Sequence, residues 1–155
     1  MRSQDEWDMR MLDMAMLVAS WSSCYRAKCG AVIVQDKRVI ATGYNGAPPY
    51  QKNCKEIGWC YRDKNNIKSG TQLENCRATG CHGEQNAIAN AARAGHATLG
   101  ATMYIYGNTD ICRMCRGQIA SAGIARVVYE DRNGGLHEAF PEKDWTVHPV
   151  DMEVV

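Results

Sequence analysis

An α/β fold, with helices covering a mixed sheet, follows from three features of the sequence. Residues 102–130 run strand, helix, strand in close succession. That order is a βαβ crossover, which implies two parallel neighbouring strands with a helix packed on the sheet. Residues 31–34 and 38–42 are β-branched runs on either side of Gln35-Asp36-Lys37, the pattern of an antiparallel hairpin. Helical patterns over 5–21 and 84–94 supply further cover. The 155 residues, 45% of them hydrophobic, suit one domain over 1–155 with a single sizeable core.

Taken in order, residues 5–21 carry apolar side chains at Trp7, Met11, Met14, Ala15 and Val18, the spacing of a helix with one buried face. Its methionines are read as core filler. The hairpin follows, with Cys29 at the entry to its first strand. Residues 43–80 are rich in glycine and cysteine and show no periodicity, so the domain carries a Cys-rich insertion at about 50–80. A loop that long needs an ordering agent other than a hydrophobic core. Residues 84–94 are alanine-rich and free of glycine and proline, hence helical. Residues 102–106 and 125–130 read as strands and 112–122 as a helix closed by Gly123. Another strand is expected at 145–150.

Composition narrows the function. A net charge of +1 argues against a protein built to hold duplex nucleic acid, which would carry a clustered basic excess. The nearly charge-free stretch 14–25 falls short of the roughly 18 residues of a membrane span. Acidic residues at Asp5, Glu6, Asp8 and Asp13 do not fit a signal peptide. A soluble cytoplasmic protein is therefore expected. Its eight cysteines, without an export signal, point to metal ligation or catalysis rather than to disulfides.

The strongest signal is Cys81-His82-Gly83-Glu84, followed after 27 residues by Cys112-Arg113-Met114-Cys115. His82, Cys112 and Cys115 make a three-ligand zinc site. That number leaves a tetrahedral position open for water, as catalytic zinc requires. Helix starts favour the thiolates, because unpaired N–H groups and the backbone dipole point at them. Glu84 remains available to move protons. Cys81, next in sequence, reads as a packed thiol.

This arrangement resembles the zinc-dependent cytidine and deoxycytidylate deaminase superfamily, whose signature is H-x-E…P-C-x-x-C. The resemblance extends to Gly30-Ala31-Val32-Ile33-Val34, Thr42-Gly43-Tyr44-Asn45-Gly46-Ala47-Pro48, Glu74-Asn75-Cys76-Arg77 and His82-Gly83-Glu84-Gln85-Asn86-Ala87-Ile88, and is nearest to the deoxycytidylate (dCMP) deaminases. Two positions depart from the pattern: Ile111 stands where proline is usual, and Gly83 where alanine is usual.

The resemblance implies a three-layer α/β/α sandwich with a mixed central sheet. It also implies hydrolytic deamination of dCMP to dUMP and ammonia, supplying dUMP for thymidylate synthesis. Zinc would bring the pKa of a bound water from about 15.7 toward about 7, and Glu84 would carry protons to the ring nitrogen and the departing amine. Asn45 is expected to bind the sugar, and Arg26 and Lys28, just before the first strand, the phosphate. Relatives with a second zinc in the corresponding loop suggest a structural site at Cys24, Cys54, Cys60 and Cys76. A homo-oligomer, hexameric or other, and dCTP or dTTP as effectors are further expectations. The alternatives are a deaminase of dCTP or a modified cytosine nucleotide, a nucleic-acid base deaminase, and an inactive zinc-binding regulatory module.

Overall fold

The computed structural model describes residues 3–107 and 110–152. Helix α1 (Gln4–Ala19) starts at Ser3, whose hydroxyl caps the Glu6 amide while the Glu6 carboxylate returns to the Ser3 amide. Strands β1 (Gly30–Gln35) and β2 (Arg38–Tyr44) form the expected hairpin. Its two turn residues, Asp36 and Lys37, both have positive φ (50° and 58°), the type I′ geometry that matches strand twist. Then come α2 (Cys54–Ile57) and α3 (Tyr61–Lys64) within the Cys-rich insertion, α4 (Gly83–Ala94), β3 (Thr102–Tyr106), α5 (Arg113–Ser121), β4 (Arg126–Glu130), β5 (Leu136–Ala139) and α6 (Pro141–Asp144).

The sheet order is β2-β1-β3-β4-β5. Strands β3 and β4 are parallel, as the crossover requires, and the other neighbours are antiparallel. Alternation along β1 divides the core. Ala31 and Ile33 face Ala87 and Ala91 of α4 and Ile119 of α5, whereas Val32 and Val34 face Met11, Leu12, Ala15 and Val18 of α1. This is the mixed α/β/α sandwich.

Three expectations need correction. In α1 the buried face is Asp8, Met11, Leu12, Ala15, Val18 and Ala19. Met9, Met14 and Met16 are exposed, so Met11 alone of these four fills the core. The tail has no strand at 145–150. The fifth strand is β5, and 149–152 is a 3₁₀ turn. Pro149 explains the difference, since it cannot donate to a ladder. The insertion is not structureless: two short helices and a 3₁₀ turn (Leu73–Asn75) punctuate it. No helix among the described residues is long and apolar enough to cross a membrane.

The register fixes one end of the sheet as the functional end. Gly30 pairs with both Tyr44 and Tyr106, and Tyr106 pairs with Glu130. The segments leaving those positions therefore converge.

Candidate active site

Helix α4 is pressed onto the hairpin at this end. Gly43 makes this possible, for a Cβ there would lie 2.2 Å from the Ala87 nitrogen and 2.4 Å from the Gly83 oxygen. Asn86 and Asn90, one turn apart, donate from Nδ2 to the carbonyls of Tyr44 (2.7 Å) and Thr42 (2.8 Å). The helix opens at His82, whose amide donates to Gln85 Oε1 at 2.9 Å. Helix α5 opens at Cys112, whose Sγ accepts the Cys115 amide at 3.4 Å. Two helix starts thus face each other.

His82 Nδ1 lies 3.5 Å from Cys112 Sγ and 3.4 Å from Cys115 Sγ, and all three donor atoms fall within 4.8 Å of one another. Tetrahedral zinc, with Zn–S of about 2.3 Å and Zn–N of about 2.0–2.1 Å, places such atoms about 3.5 Å apart. The donor set and its spacing therefore fit zinc. The hydrogen bond from Cys115, helped by His82 and the Cys115 amide, brings the Cys112 thiol down to about 4, while the same bond and burial push Cys115 up. A cation bound by the two sulfurs would displace their thiol protons. The hydrogen bond with Cys112 also raises His82.

Glu84, on the first turn of α4, is 1% exposed. Burial pushes its carboxyl upward, against the opposing pull of its own amide and of His82. The two departures from the family signature are accommodated. A Cβ on Gly83 would press on the backbone of Cys29 at 3.2 Å, so glycine relieves a tight contact. The Ile111 amide, which proline would lack, donates to the Asp110 carboxylate at 2.8 Å.

His82, Glu84 and Cys112 line a cavity of about 550 Å³ whose other walls come from the turn before β1, the loop after β2 and the insertion. Asn45 is in its wall, with Oδ1 accepting the Cys29 amide (2.9 Å) and Nδ2 donating to the Ala27 carbonyl (2.8 Å). It therefore also locks the turn before β1, a role the sequence did not disclose. Arg26 reaches the cavity, but its Nε is paired with Asp63 and its Nη2 with the Ile67 carbonyl. Lys28 is exposed and does not line the cavity, so the expected cationic pair is not assembled. Sequence reading missed Arg62, Arg77 and Arg132, which do line it. Arg77 lies in the Glu74-Asn75-Cys76-Arg77 motif but was given no role there, while Arg62 in the insertion and Arg132 in the β4–β5 turn are marked by no motif.

Cys24, Cys54, Cys60 and Cys76 line the same cavity. Burial, then the nearness of Cys60, Cys24 and Cys76, raises the Cys54 thiol. Among the described residues, however, only His82, Cys112 and Cys115 come within metal-ligand reach of one another. The four-thiol site is therefore not closed. Cys29 is buried, and its thiol is pushed up to about 12 by burial and by Glu84.

Residues 5–131 match the family described as the cytidine and deoxycytidylate deaminase zinc-binding region. The chain belongs to that family. Among its relatives, the deoxycytidylate deaminase of Mycobacterium phage D29 is 38% identical over 130 residues, covering 82% of this chain and 96% of the phage protein. That of Schizosaccharomyces pombe is 38% identical over 128 residues, covering 83% of this chain. The match spans only 38% of the length of the yeast relative. Of solved structures, the dCMP deaminase of cyanophage S-TIM5 in complex with dCMP and dUMP superposes with a TM-score of 0.63 at 25% identity. The superposition covers 84% of this chain and 85% of that one.

Proposed function

We propose that this domain deaminates dCMP hydrolytically, giving dUMP and ammonia. The observation that carries the reading is a buried Glu84 beside the His82, Cys112 and Cys115 donors, at a cavity whose lining includes Arg26, Arg62, Arg77 and Arg132. A zinc ion held by those donors would supply Lewis acidity, making water a competent nucleophile near neutral pH. The rest falls to the chain. Glu84 takes a proton from the attacking water and delivers it to the pyrimidine N3 as the C4–O bond forms. It then takes the remaining proton from the oxygen newly bonded to C4 and carries it to the amine, which leaves as ammonia when the C4–N bond breaks and the C4 carbonyl forms. Burial suits this work, since it brings the carboxyl nearer to its operating pH. Asn45 retains a second Nδ2 hydrogen for a sugar hydroxyl. The D29 and S-TIM5 relatives, named for the same reaction, support this choice of substrate.

A second, structural zinc at Cys24, Cys54, Cys60 and Cys76 belongs to the same reading. Its support is that all four cysteines line one cavity and that the amides of Arg26 and Ala27 face Cys24 Sγ at 3.4 and 3.5 Å. Self-association is supported by apolar side chains left on the surface. Leu17 and Trp21 are more than half exposed, and Trp21 meets Tyr44 edge to face.

The test is Glu84→Gln. The zinc-loaded wild type should convert dCMP to equal amounts of dUMP and ammonia. The variant should keep its zinc and lose about 10²–10⁴-fold in kcat. Wild-type protein inert toward dCMP, or a fully active variant, contradicts the proposal.

A further inference from the structure

We infer that Arg62, carried into the cavity by the Cys-rich insertion, is the residue that grips the substrate phosphate; the inference rests on the nucleotide reading above. Arg62 is 7% exposed. Its Nη2 donates to the carbonyls of Lys68 (3.2 Å) and Thr71 (2.9 Å), and the Ile67 amide returns to its own carbonyl at 2.8 Å. The loop is thus wrapped around the guanidinium. Yet Nε is enclosed without an acceptor, and no carboxylate among the described residues comes within 4.0 Å of this side chain. Taking a full positive charge out of water is costly unless an anion meets it. An anion could reach it from the cavity that holds His82 and Glu84, which Arg62 lines.

Arg26 Nη1 and Arg77 Nε are likewise buried without an acceptor, but of the four cavity arginines only Arg62 is buried as a whole residue. Arg26 is paired with Asp63, and Arg77 sits over the Trp59 ring at 6.0 Å. Arg132 is exposed and donates through Nε to the Gly107 carbonyl. Arg62 therefore offers a buried charge with donors to spare, and a planar fork suits two phosphate oxygens at once.

A purely structural Arg62, holding the insertion by its carbonyls, is the competing explanation, and calorimetric titration of the zinc-loaded protein with dUMP and with deoxyuridine separates the two. The wild type should bind dUMP at least about tenfold more tightly than deoxyuridine, as charge-assisted bonds to a phosphate imply. Arg62→Gln should shrink that preference to about threefold or less while nucleoside affinity holds. Arg62→Lys, which keeps a charge but not the fork, should retain part of it, and decides the matter if the glutamine variant does not fold. Equal weakening of both ligands in the variants, or an intact phosphate preference in both, overturns the assignment of Arg62 and leaves the dCMP reading standing. A wild type that deaminates dCMP without preferring dUMP to deoxyuridine also overturns it. A wild type that neither deaminates dCMP nor prefers dUMP overturns both.

Discussion

Asp8 shows how much a single side chain on α1 does for this domain. Its carboxylate accepts from Tyr104 Oη (2.7 Å), from Gln4 Nε2 (2.8 Å) and from both Nη atoms of Arg126 (2.9 and 2.6 Å), tying the helix to β3 and β4. Burial alone would raise this carboxyl, but the bonds from Arg126, Tyr104 and Gln4 outweigh it and hold it below its ordinary 3.8. A carboxyl depressed in the folded state contributes stability above its unfolded value, and that stability is lost as pH falls through the folded one. Asp8→Asn should therefore cost about 1–3 kcal/mol near neutral pH. The gap to the wild type, followed by chemical denaturation, should hold constant from pH 8 to 5 and close below pH 4. A gap that instead widened on acidification would remove Asp8 as its source. Sequence could not have assigned this role, since an aspartate on an amphipathic helix reads as solvated. His82, Cys112 and Cys115 were legible for the opposite reason. Three soft ligands at fixed spacing on two helix starts have few other uses.

At the scale of elements, the packing of α4 on β2 decides whether the site exists, because α4 carries both His82 and Glu84. Gly43→Ala would drive a methyl into the backbone of Ala87 and Gly83. Overpacking typically costs about 1–3 kcal/mol, occasionally more. We expect at least that loss in a denaturant melt, with kcat falling as well; wild-type stability would show that α4 can stand off the sheet. The hairpin offers the reverse case. Lys37 occupies φ 58°, and Lys37→Gly should stabilise the protein by about 0.5–1 kcal/mol, since glycine takes a type I′ position without steric cost. A destabilised variant would count against that turn assignment. The hairpin and the crossover were readable because β-branched runs and a helix between strands leave few topologies. The last strand was not, because Leu136–Ala139 is short and mostly exposed at the sheet edge, with no apolar pattern to announce it. The insertion was hidden more completely, since its turns are built on backbone carbonyls bound by Arg26 and Arg62.

For the whole molecule, the sandwich brings the segments adjoining Gly30, Tyr44, Tyr106 and Glu130 to one end of the sheet, and the site forms there. The two zinc ions proposed above would divide the site into parts that should separate on removal. Elemental analysis of the active protein should give two zinc ions per chain, and mild chelation should take the three-ligand ion first, abolishing turnover while the fold persists. One zinc per active chain would remove the four-cysteine site. Substrate class is the most exposed part of the account, because it depends on the cavity as a whole. An oligonucleotide would need an open channel lined by basic or stacking side chains, whereas Arg26, Arg62, Arg77 and Arg132 line one cavity together with Glu84 and Asp110. The most direct measurement is kcat/KM of the zinc-loaded protein for dCMP, deoxycytidine and a cytosine in a single-stranded oligonucleotide, under one set of conditions. We expect dCMP to exceed each of the others by about tenfold or more. Deoxycytidine as good as dCMP, or the oligonucleotide better, would contradict the account even if the zinc centre proved correct.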